Sequence, residues 1–185
     1  MEMFLLVAGG IALVAVLMYN SLVGKKNQVD NIFASVDAVL KQRYDLIPNL
    51  VASVREYMTH ERETLEKITD LRSKALQGGL DNDAKMAIDA MLSAALGGLM
   101  VAVENYPNLK ANENFLHLQH TLSELEEQIS AARRAYNQSV TDYNNAIEMF
   151  PTNIMAGFMK LTRKQVFAAP TRERQNVDVD NLFKK

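Results

Sequence analysis

The chain has 185 residues, and its 20 Lys and Arg and 22 Asp and Glu give a formal net charge of −2. Acids and bases are interspersed, and the absence of a basic stripe that could neutralise phosphates argues against a nucleic-acid partner. Cysteine is absent, which excludes disulfides, thiolate metal sites and cysteine nucleophiles. Residues that favour helices are abundant and only four prolines and eight glycines interrupt them, so the composition favours an all-α fold.

The first predicted element is the uncharged stretch Met3–Gly24. About 22 such residues in a helix, at about 1.5 Å rise per residue, span the roughly 30 Å hydrocarbon core of a bilayer. A cleaved signal peptide is disfavoured, because no basic segment precedes the stretch and no small-x-small site follows it. Lys25 and Lys26 come directly after it, and flanking positive charge indicates the cytoplasmic side. We therefore predict a transmembrane anchor over residues 1–24, with the N-terminus outside and the body in the cytoplasm.

A first amphipathic helix is predicted from Asn27 to about Gln77, because apolar residues recur at spacings of three and four. This stripe consists of Val29, Phe33, Val36, Leu40, Ile47, Leu50, Val54, Tyr57, Ile68, Leu71 and Ala75. Arg43 is a charged residue on the stripe. Pro48 removes a helical hydrogen bond and frees the carbonyl of Tyr44, so we predict a kink there, after which the helix continues.

A second helix is predicted between the glycines that end the first and a turn at Pro107. Gly78 and Gly79 supply the cap of the first helix, and the residues 81–83 offer side-chain oxygens to the start of the second. This helix, rich in Ala and Met, is expected to be mostly buried and to run to about Val103. The glycine pair 97–98 inside it indicates a close helix crossing or a local break.

The third long helix is predicted from about Leu109 to Met149, and it carries another stripe with spacings of three and four. Pro151 ends it, and Thr152 or Asn153 caps a short fourth helix over residues 154–161. Three long helices and a short fourth predict an elongated antiparallel bundle over residues 25–165. Residues 166–185 lack an apolar stripe and are predicted to form a flexible tail.

Several sequence blocks appear in a specific order along the chain. They are Lys41-Gln42-Arg43-Tyr44-Asp45-Leu46-Ile47-Pro48-Asn49-Leu50-Val51, His60-Glu61-x-Glu63-Thr64-Leu65, Arg72-Ser73, Tyr106-Pro107-x-Leu109-Lys110-Ala111-Asn112-Glu113-x-Phe115, Ala132-Arg133-Arg134-x-Tyr136-Asn137, Tyr143-Asn144 and Phe150-Pro151-x-Asn153. With the anchor and Tyr19-Asn20, these blocks resemble the bacterial LemA family as far as about Gly157. The family's basic and aromatic stretch that follows is kept only loosely, as residues 160–167. The resemblance implies a single-pass membrane protein with a cytoplasmic helical bundle, and it supplies no catalytic residues.

The kink region holds the first group of candidate site residues, Arg43, Tyr44, Asp45, Pro48 and Asn49. Asp45 and Asn49 are one helical turn apart, so with Arg43 they could form a polar network at the kink. Three interpretations remain open: a structural network, a partner-docking site, and a site with a catalytic carboxylate.

The second group of candidates is two Tyr-Asn pairs, Tyr136-Asn137 and Tyr143-Asn144, which lie seven residues apart and therefore on one helix face. Core packing and a self-assembly surface are the two interpretations. The histidines 117 and 120, beside acids at 113 and 124, lack the Glu-x-x-His order of a di-iron bundle, and we interpret them as surface residues. The sequence predicts no metal site, no cofactor and no catalytic residue.

These observations together predict a non-enzymatic structural or interaction protein of the bacterial inner membrane. It contacts the lipid bilayer through Met3–Gly24 and self-associates into a homo-oligomer. The alternative is an adaptor that binds one membrane enzyme or receptor, using the kink and the tail. A metal-dependent enzyme is the remote alternative.

Overall fold

A computed structural model describes residues 1–167, which form six helices and no strand. The helices are α1 (Glu2–Arg55), α2 (Arg62–Ala75), α3 (Asn82–Val103), α4 (Pro107–Lys110), α5 (Glu113–Glu148) and α6 (Thr152–Phe158). The all-α prediction is confirmed. The predicted tail, except for its first two residues, lies outside the described residues.

Helix α1 runs without a break for 54 residues. Its apolar first part makes no contact that buries it, and Leu22 is its first buried residue. From Leu22 onward the same helix supplies the central stripe of the bundle core, so the apolar segment and the first bundle helix are one element. Pro48 lies inside this helix.

The first bundle helix ends earlier than predicted. The chain leaves the helix after Arg55 and re-enters one at Arg62, so the predicted helix to Gln77 is two helices, α1 and α2. No glycine or proline stands at this reversal. Buried Met58 anchors it, and its backbone N–H donates to the carbonyl of Val54 at 2.9 Å.

The α1–α5 pair forms the long axis of the bundle. At one end the side-chain amide of Asn112 donates to the Tyr57 hydroxyl at 3.3 Å, and nearer the other end the rings of Phe33 and Tyr136 meet edge to face at 5.3 Å. The number of residues from Phe33 to Tyr57 equals the number from Asn112 to Tyr136. The helices therefore run antiparallel and stay in register over most of the length of α5.

Two different structures cover the groove between α1 and α5. Over the half that is remote from the apolar segment lies the α2–α3 hairpin, with α3 parallel to α1 and tied to it by an ion pair between Lys85 and Asp37 at 2.7 Å. Over the near half lie α6 and the non-helical residues 160–167. Both halves therefore share a single core.

Several predicted boundaries shift in the structure. Asn112 caps α5 by accepting from the Phe115 N–H at 3.1 Å, so α4 and α5 replace the single helix predicted from Leu109. The Thr152 hydroxyl donates to the carbonyls of Ala146 and Met149 at the end of α5 and caps no helix start.

Two expectations about α3 are wrong, and the core includes a residue beyond the predicted end of the bundle. The glycines 97 and 98 neither break α3 nor mark a crossing, since a Cβ added at either would meet no atom within 4 Å. Helix α3 is only half buried, with one face in the core and the other in solvent. Phe167 is 7% exposed and part of the core, so the bundle reaches at least two residues past the predicted boundary at Gln165.

Candidate functional site: a buried charge cluster and a docked chain segment

A charge cluster lies where α1, α3 and α5 meet. Asp89 of α3 is fully buried, and each of its carboxylate oxygens takes one arginine, Arg43 of α1 and Arg133 of α5. Arg43 is 1% exposed. Burying an ion is costly unless groups of opposite charge compensate it, and Asp89 is the first of two carboxylates that do so for these guanidinium groups.

Glu126 of α5 completes the cluster at its solvent edge. Its carboxylate accepts from Arg43 Nη1 at 2.7 Å and lies 3.8 Å from Arg133 Nη1. Arg43 Nη1 also donates to the hydroxyl of Ser93 at 2.9 Å. Two arginines thus face two carboxylates, and the cluster is formally neutral. Burial lowers the pKa of Arg43, while the charge of Glu126 opposes that shift.

The cluster joins the α2–α3 hairpin to the α1–α5 pair in one register. A shift of α3 by one turn would remove Asp89 from both arginines and leave its buried carboxylate without a counter-ion, which is costly. The Nε atoms of Arg43 and Arg133 are buried and have no hydrogen-bond partner among residues 1–167. Asp89 is 0% exposed, and its pairing with α1 and α5 specifies how the three helices align.

The Tyr44 carbonyl, which has no helical donor because of Pro48, accepts a hydrogen bond from another helix of the chain. Arg72 of α2 donates from its Nε to the Tyr44 carbonyl oxygen at 2.7 Å. Proline at position 48 has no N–H for this carbonyl, and the guanidinium supplies the missing donor. Burial raises the pKa of the Tyr44 hydroxyl, and neighbouring Arg43 opposes that shift.

The network predicted among Arg43, Asp45 and Asn49 does not form. Asp45 is exposed and pairs with Lys41 one turn earlier at 2.6 Å, and Asn49 is also exposed. Arg43 turns to the opposite side of α1, into the core. Of the five kink candidates, the structure brings only Arg43 and Tyr44 into buried contacts.

Asn137 and Asn144 hold the non-helical segment 160–167 against α5. The side chain of Asn144 accepts from the backbone N–H of Lys164 and donates to its carbonyl, both at 3.0 Å. Asn137 does the same for Phe167, at 2.8 and 3.1 Å. Seven helical residues rise about 10.5 Å, which matches about 10 Å for three residues of extended chain. The spacing of the two asparagines therefore matches the segment they bind.

Tyr136 and Tyr143, the tyrosines of the two Tyr-Asn pairs, also contact the segment 160–167. The Tyr143 hydroxyl donates to the Thr162 carbonyl at 3.0 Å, and the Tyr136 ring meets the Phe167 ring at 5.3 Å. Phe167 also stacks near Phe33, and the Arg133 guanidinium lies over its ring at 5.6 Å. Burial raises the pKa of both tyrosine hydroxyls, and nearby acidic side chains add to the shift. Core packing is thus the observed role of these tyrosines.

Within residues 1–167, neither the predicted surface histidines nor the depression beside α4 forms a reactive site. His117 is exposed, and His120 lies 3.6 Å from Glu124 with a 75% exposed side chain. Over residues 1–167, no three His, Asp or Glu side chains are grouped closely enough to hold a metal ion. A shallow depression beside α4 is lined by Tyr57 and residues 105–109, whose only titratable groups are tyrosine hydroxyls.

Comparison with known proteins places this architecture in a family. The LemA family model matches residues 32–181. This range includes the charge cluster and the docked segment. The chain belongs to the LemA family. The match extends beyond Gly157, where the resemblance of the sequence blocks had become loose.

Two kinds of relative share the family's sequence. Protein LemA of Metamycoplasma hominis is 31% identical over 97% of this chain and 82% of its own length. Magnetosome protein MamQ 2 of Paramagnetospirillum magneticum is 24% identical, covering 85% of this chain and 68% of its own length. Magnetosome protein MamQ of Magnetospirillum gryphiswaldense is also 24% identical, over 80% of this chain and 64% of its own length.

Sequence reasoning missed Asp89, the residue at the centre of the cluster. A signal was available, because Asp89 is the only charged residue between Met86 and Val103. A single acid in so apolar a helix needs a cationic partner, and Arg43 was already identified on the facing stripe. Glu126 offered no such signal, because it stands among other charged residues on α5.

Proposed function

We propose that this LemA-family chain is a non-enzymatic interaction protein, anchored by its first 24 residues and carrying its bundle on the cytoplasmic face of a bacterial inner membrane. The observation that carries the proposal is the continuity of α1. Residues 3–21 of α1 include no buried side chain, whereas the second apolar helix, α3, is partly buried in the bundle. An uncharged helical segment that the protein does not bury needs lipid to cover it.

The role of the bundle follows from how its polar groups are used. Asp89 and Arg43 are sealed in the core, where a substrate could not reach them, and they pair with each other. The freed Tyr44 carbonyl is also occupied. These groups act on the fold, which favours an interaction role over catalysis.

Self-association is the second part of the proposal, and we place it on the outer face of α3. The apolar stripes of α1 and α5 are buried inside one chain, so self-association needs another surface. Beyond the exposed Asp83 in its first turn, the outer face of α3 carries no charge and consists of small and apolar residues, Ala87, Ala90, Met91, Ala94, Gly98 and Val101. Small residues allow close approach of helices, and the glycines have no packing role within the chain.

Crosslinking in the native membrane tests this surface, because the chain has no cysteine of its own. We expect a short bis-maleimide to link copies that carry Ala94→Cys, Gly98→Cys or Val101→Cys into dimers. Leu116→Cys is the matched control, since Leu116 is an exposed apolar residue on α5. Absence of dimers from all three α3 variants, or equal crosslinking of the control, would contradict self-association through α3.

An adaptor for one membrane enzyme or receptor is the second candidate function. Asp45 and Asn49 support it, because both are exposed beside Pro48 and are not required by the core. In-cell crosslinking separates the two candidates. Products that contain only this chain favour self-association, and one recurrent foreign protein favours the adaptor.

A further inference from the structure

The turn between α5 and α6 carries an exposed apolar surface, which we call the α5–α6 corner and define as Met149, Phe150, Ile154 and Phe158. Their exposures are 63, 80, 54 and 81%. Four large apolar side chains within ten residues form a patch of the kind that marks an interaction site. Ile154 and Phe158 are one turn apart, so both project from the same side of α6.

The register of the bundle places this corner beside the membrane end of α1. Because α1 and α5 stay in register from the Tyr57–Asn112 pair to the Phe33–Tyr136 pair, the last residue of α5, Glu148, lies level with about Ser21 of α1. Helix α6 contacts α1, and Leu22 is fully buried in the same core as Ala156 of α6.

The corner therefore reaches the depth of the final turn of the apolar segment Met3–Gly24. Residues beyond Glu148 continue toward that segment before α6 turns the chain back. The inner side of α6 packs on the bundle through Ala156, and its other side presents Ile154 and Phe158 outward.

Cationic side chains lie next to the corner, as expected at a membrane surface. Lys160, just after α6, is exposed, and Arg163 is largely exposed while it pairs with Glu148 at 2.7 Å. Lys26 is exposed on α1 just past the apolar segment. Lysine and arginine next to buried apolar side chains are typical of segments that lie in the interface of anionic membranes.

We propose that the α5–α6 corner is a second membrane contact, in which Phe150, Ile154 and Phe158 insert into the interface of the leaflet beside α1. This inference rests on the proposed insertion of α1. The corner lies level with the last turn of the anchor, so the bilayer surface reaches it once α1 is inserted. We therefore take the lipid bilayer as what covers the corner. The two contacts together hold the bundle at a fixed angle to the membrane.

Fluorophores at single cysteines test the contact in the full-length protein, reconstituted into vesicles of phosphatidylethanolamine and phosphatidylglycerol. The reporter is Phe158→Cys, and Leu116→Cys at the far end of the bundle is the matched exposed control. Leu13→Cys reports on the anchor itself. Acyl chains that carry bromine quench labels in the bilayer, and aqueous iodide quenches labels in water.

We expect brominated lipid to reduce the fluorescence of the labels at 158 and 13 and to leave the label at 116 unchanged, with iodide giving the opposite pattern. Quenching at 13 together with iodide access at 158 overturns the inference and leaves the anchor intact. Iodide access at 13 overturns the anchor and the inference together.

Two further outcomes would also overturn the inference. Brominated lipid that quenches 116 as strongly as 158 means that the bundle lies flat on the membrane. A label at 158 that is protected from both quenchers is covered by protein, which identifies a second copy as the occupant. Circular dichroism of Phe158→Cys confirms that the labelled chain keeps its helices.

Discussion

Replacing Asp89 by asparagine removes the shared counter-ion of Arg43 and Arg133 with almost no change in shape. Breaking a buried ion pair by removing one partner costs about 3–5 kcal/mol. Two arginines depend on Asp89, but Arg43 retains the Glu126 carboxylate at 2.7 Å and the Arg133 side chain is 13% exposed. These residual interactions place the expected loss near the middle of the range, at about 4 kcal/mol.

Urea unfolding of the full chain in detergent, followed by circular dichroism, measures this loss. At an m value of about 2 kcal/mol per molar urea, the midpoint of Asp89→Asn falls by about 2 M. Glu126→Gln is the matched control, because Glu126 is half exposed and its pairs are worth only about 0–1 kcal/mol. A loss for Asp89→Asn no larger than that for Glu126→Gln would refute the view that the cluster is a buried counter-ion site.

Three other predictions concern the remaining contacts of the site. Arg72→Met removes the charged donor to the Tyr44 carbonyl, and we expect urea unfolding to show a loss of about 1.5–3 kcal/mol; an unchanged midpoint would mean that water replaces the guanidinium. Asn144→Ala leaves the backbone N–H and carbonyl of Lys164 without partners, so amide hydrogen exchange at Lys164 should accelerate while α5 stays protected, and unchanged exchange at Lys164 would contradict docking by this asparagine. Alkaline titration tests the buried tyrosines. Burial raises the folded pKa of Tyr143 above the ordinary value of 10, so this tyrosine ionises first in the unfolded chain. Its contribution to stability is therefore constant well below pH 10 and is lost as the pH rises above 10. Phenylalanine at position 143 should make this fall shallower, and an equally steep fall in that variant would contradict the assignment.

The elements that depend on local pattern were predictable from the sequence. Spacings of three and four placed Phe33 on the buried face of α1 and Tyr136 on that of α5, and both are in the core. The effect of Pro48 was also local, because a proline always deprives the carbonyl four residues earlier. Arg43 was identified as a charge on the apolar stripe from the same spacing of three and four.

The features that depend on contacts distant in sequence were not predictable. The end of α1 after Arg55 has no glycine or proline, so it follows from the packing of α2 on α1 and not from propensity. The isolated charge of Asp89 indicated that it needs a cationic partner, but periodicity does not pair residues across helices, so the sequence did not show that Asp89 contacts two arginines. The docking of Phe167 depends on side-chain amides of α5 that bind a segment without any repeating pattern.

The central claim is that one helix, α1, passes from the bilayer into a cytoplasmic bundle. Its most direct test is the reaction of a single cysteine, Leu116→Cys, with a membrane-impermeant maleimide in intact spheroplasts and after permeabilisation. Leu116 is 46% exposed and lies outside both proposed contact surfaces, so neither the folded bundle nor a second copy shields it. We predict reaction only after permeabilisation, and reaction in intact spheroplasts would place the bundle outside the cell and contradict the account.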